Sequence, residues 1–131
     1  MNSKVHAGLS SYLLRNRIDA DRREDGSTVL VFDRQYRVRC WPASNGDIVL
    51  ESRVTELPEE AHQCDDMLKE AMECAAHRIN NYPEALVISE DIRELSIQQR
   101  ISVDTTADGF ETLLEQFVNS LTSWRQRFVG N

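Results

Sequence analysis

The order of hydrophobic patterns along the chain constrains its fold more than any single motif does. A short helical stripe is followed by three strand patterns, a second helical stripe, two more strand patterns and a long final stripe. The links between the first three strands are too short for parallel crossovers, so these strands are expected to pair antiparallel. The series predicts an α+β fold in which helices flank a twisted antiparallel sheet.

The first half of the chain carries patterns for one helix and three strands. A helix is predicted within residues 3–17, with Ser3 as a possible cap. Strands are predicted over 28–32, 36–41 and 48–54, where apolar residues run together or alternate with polar ones. The Asn45-Gly46 pair between the last two strands is typical of a tight hairpin.

The second half carries a helix, two strands and a final helix. Leu57–Glu60 predicts the start of the middle helix, with proline early and acids in the first turn, and Pro83 ends it. Strands are predicted over 85–89 and 95–103, and Thr105 or Thr106 is expected to cap the last helix. Apolar residues three and four apart make that helix the most amphipathic: Phe110, Leu113, Leu114, Phe117, Val118, Leu121, Trp124 and Phe128.

Length and charge restrict the class of protein. The 131 residues predict one domain over 1–131, and the formal net charge of -7 disfavours binding to nucleic acid or an anionic membrane. A neutral or basic segment of another protein is a plausible partner. The start of the chain lacks the apolar core of a signal peptide, and no apolar run approaches the ~20 residues that span a bilayer. With three cysteines, an odd number, these features predict a cytoplasmic protein.

No motif predicts catalysis or a cofactor. Glu70, Cys74 and His77 fall on one face of the middle helix, but a closed zinc site needs four ligands and no paired spacing supplies the rest. The glycines form no phosphate-binding loop, and no cysteine has a base and an orienting group beside it in a motif. We expect no metal, no cofactor and no enzymatic activity, with a small cysteine/histidine enzyme or metal protein as the remote alternative.

Arginines cluster in two places. The first group is Arg15, Arg17, Arg22 and Arg23, and the second is Arg34, Arg37 and Arg39. Acidic residues are interspersed with both groups, so an ordinary solvated surface is expected rather than a nucleic-acid site.

The middle helix carries a stripe of small and soft residues. Such a stripe permits close approach to a symmetry mate, although it could equally pack against the sheet. We assign the predicted dimer interface to four of its residues: Cys64, Leu68, Ala71 and Ala75.

Apolar residues of the first helix and of the first three strands exceed what one closing helix can cover. We therefore predict that some of them bind a partner, and we select eight: Val5, Leu9, Leu13, Leu14, Val38, Trp41, Ile48 and Leu50. Leu14 and Trp41 lie off the main periodicity and are the first candidates for exposed contacts, the alternative being a place at the edge of the core.

Several stretches follow the pattern of a known family. They are Leu57–Glu60, Glu84–Ser89 with Leu95–Ile97, and Phe110–Phe117 leading to Trp124-Arg125. With the order of elements and the acidic balance, nearly the whole chain resembles the chaperones of type III secretion effectors, the Tir-chaperone-like (class I) family. The chain departs from that pattern at Asn80–Pro83, where many members carry a glycine before the fourth strand.

The resemblance implies a bacterial homodimer, formed largely through the middle helix and neighbouring strands, without catalysis or cofactor. It implies that the dimer binds an extended N-terminal segment of an effector and keeps it soluble and ready for secretion. Apolar grooves and a strand edge are physically suited to such a segment. The alternative is a regulatory module of the same fold that sequesters another protein.

Overall fold

The computed structural model describes residues 6–18, 21–22, 24–32 and 34–128. Its elements follow the predicted order, with one additional strand of two residues near the N-terminus. They are α1 (Ala7–Arg15), β1 (Asp21–Arg22), β2 (Thr28–Phe32), β3 (Tyr36–Pro42), β4 (Ile48–Glu56), α2 (Ala61–Arg78), β5 (Ala85–Ile88), β6 (Glu94–Ile101) and α3 (Ala107–Phe128). The α+β prediction is therefore confirmed. The hydrophobic pattern missed β1, because two polar residues have no period to detect.

The strands form one antiparallel sheet in the order β1-β2-β3-β4-β6-β5. Leu30 lies opposite Val38, and Cys40 lies opposite Leu50. Strand β6 pairs with β4 on one side and with β5 on the other, so β1 and β5 are the two edges of the sheet. Both edges thus present backbone groups that have no strand partner within the described sheet.

The hairpin between β3 and β4 forms where Asn45-Gly46 predicts it. Both residues have positive φ, 62° at Asn45 and 81° at Gly46, as a type I′ turn requires. A Cβ atom at Gly46 would lie only 2.8 Å from a methyl carbon of Val103. Asp47 then ties the turn to β6, since its carboxylate accepts hydrogen bonds from Arg100 Nε at 2.7 Å and from the Val103 amide at 2.8 Å.

Helices α1 and α3 cover one face of the sheet. Phe110 and Phe117 of α3 are fully buried, and the rings of His6 and Tyr12 lie 5.8 and 5.7 Å from the Phe110 ring. Burying an aromatic side chain removes roughly 150–250 Å² from water, so this layer supplies much of the hydrophobic stabilisation. The prediction of a strongly amphipathic last helix agrees with this packing.

Side-chain caps fix the starts of α1 and α2. Helix α1 begins at Ala7, where His6 Nδ1 accepts from the Leu9 amide at 3.2 Å. Ser3 lies outside the described residues. Helix α2 begins at Ala61, and the Glu60 carboxylate accepts from the amides of His62 and Gln63. Leu57–Glu60 therefore precedes the helix, because a carboxylate satisfies the free amides best from the cap position.

The third helix start agrees with prediction. Thr106 Oγ1 accepts from the Gly109 amide at 3.1 Å, and Asp108 lies in the first turn of α3. An acidic residue there is favourable because it faces the positive end of the helix dipole.

Candidate protein-binding surfaces

Four of the eight residues predicted to bind a partner lie in the core of the protomer. Leu9, Val38, Ile48 and Leu50 are all buried beneath the helical layer. A partner could reach them only if α1 or α3 left the sheet, so these positions are corrected from contact surface to core. Alternation with polar residues places Val38, Ile48 and Leu50 on one face of the sheet, and their burial shows that this face is the covered one. Val5 lies outside the described residues.

Helix α1 presents the apolar residues that remain available. Leu14 is 79% exposed and the adjoining Leu13 is half-buried against the core. The helix is held at both ends: His6 Nε2 lies 2.8 Å from the Ser102 carbonyl oxygen, and Arg15 forms an ion pair of 2.6 Å with Asp108. Leu14 is therefore presented on a docked helix rather than on a loose segment.

The second exposed surface is the face of the sheet opposite the helices. We call it the open face, and it is the side of β3, β4 and β6 that carries Arg37, Arg39, Trp41, Glu51 and Ser96. Successive side chains of a strand point to opposite faces, so these residues alternate with the buried ones. Most of them line a shallow concavity of about 760 Å³. Trp41 is half-buried on the same face.

Polar contacts organise the open face. Glu51 accepts from Trp41 Nε1 at 3.3 Å and from Gln98 Nε2 at 3.0 Å. Arg53 pairs with Glu56 and Glu94 at 3.4 and 3.3 Å. The guanidinium of Arg39 lies 5.1 Å from the centre of the Trp41 ring, within the range of a cation–π contact. The carboxylates of this face are thus already engaged.

An arginine of α3 closes one end of the concavity. Arg125 donates to the Arg53 carbonyl from Nε at 3.1 Å and from a terminal nitrogen at 2.8 Å, and to the Gln35 carbonyl at 3.1 Å. Burial is the main cause that lowers its pKa, and the neighbouring Arg53 charge acts in the same direction. Among the described residues, Arg125 binds backbone oxygens and no carboxylate, which makes it a structural clamp.

The small-residue stripe of α2 faces its own chain. Cys64 and Ala71 are buried, and Leu68 and Ala75 are half-buried against the same core. The neighbouring face of the helix instead leaves large apolar side chains in solvent, with Met72 58% and Ile79 73% exposed. Because Met72 lies one residue after Ala71, helical geometry turns its side chain about 100° away from the buried stripe.

A buried ion pair joins α2, β5 and α3. Arg78 Nε contacts Glu84 Oε2 at 2.5 Å, and Trp124 Nε1 donates to the same oxygen at 3.1 Å. Burial alone would raise the pKa of Glu84, but the hydrogen bonds from Arg78 and Trp124 outweigh it and lower the pKa. Arg78 also lies 3.8 Å from the centre of the Tyr82 ring. These contacts hold the Asn80–Pro83 link, where the chain lacks the glycine of the family pattern.

The cysteines and histidines show no arrangement for chemistry. Burial raises the pKa of Cys40 to about 12, so its thiol is protonated at neutral pH. His77 Nδ1 lies 2.8 Å from the Glu73 carbonyl oxygen of its own helix. Across the ranges that the structure describes, no group of three His, Cys, Asp or Glu residues could hold a metal ion.

None of the helices in the described part of the chain has the length and apolarity needed to cross a membrane.

The chain matches one family model and is similar in fold to several solved structures. The model described as the Tir chaperone protein (CesT) family matches residues 10–125. A chain of the ExsC-ExsE complex has a TM-score of 0.70 at 17% identity, covering 95% of this chain and 96% of that one. A chain of the HopA1-SchA chaperone-effector complex has a TM-score of 0.69 at 12% identity, with 90% of each chain covered.

The type III secretion chaperone SycH of Yersinia pestis, solved with a stable fragment of YscM2, is a further match. Its TM-score is 0.61 at 13% identity, and the alignment covers 91% of this chain and 98% of that one. At these identities the solved structures establish the fold. No curated protein matches the chain in sequence.

Proposed function

The chain belongs to the Tir chaperone protein (CesT) family, and from this premise we propose that it is a bacterial type III secretion chaperone. Its cargo is an extended segment near the N-terminus of a secreted effector, which it keeps soluble and ready for export from the cytoplasm. Membership of a chaperone family agrees with the prediction of a binding protein rather than an enzyme.

The observation that carries this proposal is an exposed apolar surface on a rigid support. Leu14 is 79% exposed on α1, although both ends of that helix are bonded to the rest of the chain. An exposed leucine on its own is ordinary. Here it adjoins the half-buried Leu13 on a helix that lies over the core, and the open face offers the half-buried Trp41. These residues give anchor points for the side chains of an extended partner.

The likeness to structures solved as complexes supports the same proposal. The similar chains come from a HopA1-SchA chaperone-effector complex, an ExsC-ExsE complex and a complex of SycH with a YscM2 fragment. Strands β1 and β5 form the edges of the described sheet, and an extended segment can add to such an edge through backbone hydrogen bonds. Ordering an unfolded segment costs conformational entropy, so several separate contact surfaces are needed to offset it.

We also propose a homodimer, with its interface on the exposed side of α2. The stripe predicted for this role, Cys64, Leu68, Ala71 and Ala75, packs against the core of its own chain, so the contact passes to Met72 and Ile79. Two large apolar side chains about two turns apart on the same side of the helix are suited to helix-to-helix packing with a second copy. The edge strand β5 follows α2 in sequence and packs against it.

Light scattering tests the dimer directly. The native chain should scatter as a dimer at micromolar concentration, and Met72→Arg should scatter as a monomer, because it places a charge in an apolar contact. Gln63→Arg, an exposed position near the start of the same helix, should leave the dimer intact. A native monomer, or equal behaviour of the two variants, would contradict the proposed interface.

The chaperone function is tested by co-purification from the native bacterium followed by hydrogen exchange on the complex. The bound protein should be protected only in short stretches near its N-terminus, without a globular core in that segment. Leu14→Asp should weaken the complex, whereas Ser11→Asp, an exposed position on the same helix, should not. A partner that is fully folded over the contacted segment would replace this function with the regulatory one.

A further inference from the structure

We propose, on the premise that the chaperone function holds, that the open face of the sheet docks an acidic stretch of the secreted partner. The carboxylates of that stretch pair with Arg37 and Arg39, and an apolar side chain next to them packs on Trp41. The acidic balance of the whole chain predicts a neutral or basic partner, so this surface is a local exception to the global charge.

The two arginines present their guanidinium groups on one side of the sheet. Arg37 and Arg39 are alternate residues of β3, both exposed, and alternate residues of a strand lie about 7 Å apart on one face. Trp41 is the next residue in this row. An extended segment laid along β3 has the same spacing, so its alternate side chains meet the row in register.

Neither arginine has a carboxylate partner within the described residues. Other arginines of the chain do: Arg53 pairs with Glu56 and Glu94, and Arg100 pairs with Asp47 at 2.7 Å. The carboxylate that faces Arg39 across the strands belongs to Glu51, and it is engaged by Trp41 and Gln98 instead.

The positive charges of Arg37 and Arg39 on the open face are therefore not neutralised by a described carboxylate. The Arg39 guanidinium lies against the Trp41 ring, which fixes it on the surface without neutralising it. Carboxylates are the ligands that a free arginine fork binds best in a protein partner, through paired hydrogen bonds.

Strand β2 adds an apolar border to this row. Val29 lies opposite Arg39 and Val31 lies opposite Arg37, and Val31 is 55% exposed. A docked segment would cover this valine while its carboxylates reach the arginines. The surface thus combines charge with apolar area, as protein–protein contacts commonly do.

The shape of the charge distribution favours a short acidic stretch over a nucleic acid. The chain as a whole carries -7, and a long polyanion would extend beyond β3 into that negative surface. The Debye length is about 8 Å at physiological ionic strength, so a short stretch interacts mainly with the charges in direct reach. Arg37 and Arg39, which take part in none of the described ion pairs, supply those charges.

An NMR titration of the isotope-labelled chain tests the proposal with defined peptides. The probe peptide contains glutamate, serine, glutamate, serine and leucine in that order, flanked by glycines. Two matched peptides replace both glutamates with glutamine or with lysine. The glutamate peptide should shift the signals of Arg37, Arg39 and the Trp41 indole, and it should bind at least about ten-fold more tightly than either control.

Variants of the chain complete the test. R37E combined with R39E should weaken the glutamate peptide about ten-fold or more and should strengthen the lysine peptide. R34E makes the same change of charge per residue on the exposed turn before β3 and should alter neither affinity much. If the double reversal fails to fold, R37Q with R39Q serves in its place, with the thermal melt as the check of folding.

Failure of this inference is distinguishable from failure of the chaperone function. Equal binding of the three peptides, or shifts confined to other parts of the surface, would overturn the acidic docking surface. If the chain then still formed its complex with an extended partner segment, the chaperone function would stand without it. Loss of glutamate-peptide binding in R37E/R39E, together with weaker binding of the native partner, would support both.

Discussion

Helices α2 and α3 have similar periodicity in sequence but are covered to very different extents. The apolar face of α3 is closed by the sheet, with Phe110, Phe117 and Leu121 fully buried. Helix α2 buries only Cys64 and Ala71, and it leaves Met72 and its C-terminal cap residue, Ile79, in solvent. Helix α3 thus completes the core of the protomer, whereas α2 retains exposed apolar surface.

The sizes of the side chains explain this difference. Large rings on α3 fill the space above a twisted sheet, and the remaining apolar residues of this helix, such as Leu113 and Val118, are partly buried against the same core. Small residues on α2 allow the helix to pack close to its neighbours, and its larger apolar side chains lie outside that contact, in solvent. Exposed apolar residues at helical spacing are typical of a surface that meets another protein. Stability is therefore expected to reside mainly in α3 and association in α2.

The largest effect is expected from Phe117→Ala. Removing a fully buried ring loses its transfer free energy and leaves a cavity, so the free energy of unfolding should fall by about 3–5 kcal/mol. Denaturant melts measure this change, and Gln116→Ala, the exposed neighbour, is the control. A loss for Phe117→Ala no larger than that of the control would contradict the structural role of α3.

A smaller, pH-dependent effect is expected from Glu84→Gln, where α2, β5 and α3 meet. The variant keeps the shape but loses the charge that binds Arg78, so stability at neutral pH should fall by about 1–3 kcal/mol. The folded-state pKa of Glu84 lies below its ordinary value of 4.5, so ionised Glu84 stabilises the fold above that pH. This stabilisation is lost as the pH falls through the folded pKa.

Melts over a pH series distinguish this cause from simple loss of packing. The difference in free energy of unfolding between the native chain and Glu84→Gln should become smaller below about pH 4.5, the ordinary pKa of the group. Glu90→Gln, an exposed glutamate in the following turn, should show no gap at any pH. A gap that stays constant in acid would mean that the charge pair does not stabilise the fold.

Glu60→Ala should lower the free energy of unfolding by about 1 kcal/mol, because the Glu60 carboxylate caps the first turn of α2. The start of α2 should also exchange its amide hydrogens faster, since the His62 and Gln63 amides lose their acceptor. Glu59→Ala removes an exposed carboxylate one residue earlier and should have little effect on either measurement. Equal losses in the two variants would assign the effect to charge rather than to capping.

The smallest effect on the protomer is expected from Met72→Ser. An exposed side chain away from caps and ion pairs usually changes stability by less than about 0.5 kcal/mol. If α2 forms the dimer contact, the native melting temperature rises with protein concentration, and this dependence is weaker in the variant. A large loss of stability that is independent of concentration would show that Met72 supports the protomer instead.

Local features of this fold could be read from the sequence because they depend on neighbouring residues. Asn45-Gly46 adopts the positive φ values that the hairpin needs, and Thr106 caps α3 as its position predicts. The start of α2 was placed four residues early, since a proline and two glutamates fit a first turn as well as the residues before a cap. Only the hydrogen bonds of Glu60 decide between the two.

The candidate binding surfaces depended on information that lies outside any local window. Val38 and Trp41 belong to one alternating strand, and alternation says that they lie on opposite faces without saying which face is covered. In the structure Val38 is buried in the core, whereas Trp41 is half-buried on the open face. Likewise, Arg37 and Arg39 look like ordinary solvated residues until the carboxylates around them are seen to be engaged elsewhere.

The sequence by itself determined the order of elements, the family and the period of each apolar stripe, because backbone geometry imposes these periods on every helix and strand. Only the tertiary structure decides which element each apolar stripe packs against. The small residues of α2 could have met a second copy, but they meet their own chain, and Met72 and Ile79 take the exposed position. Hydrophobic burial is non-directional, so only the packing of all elements together determines what remains for a partner.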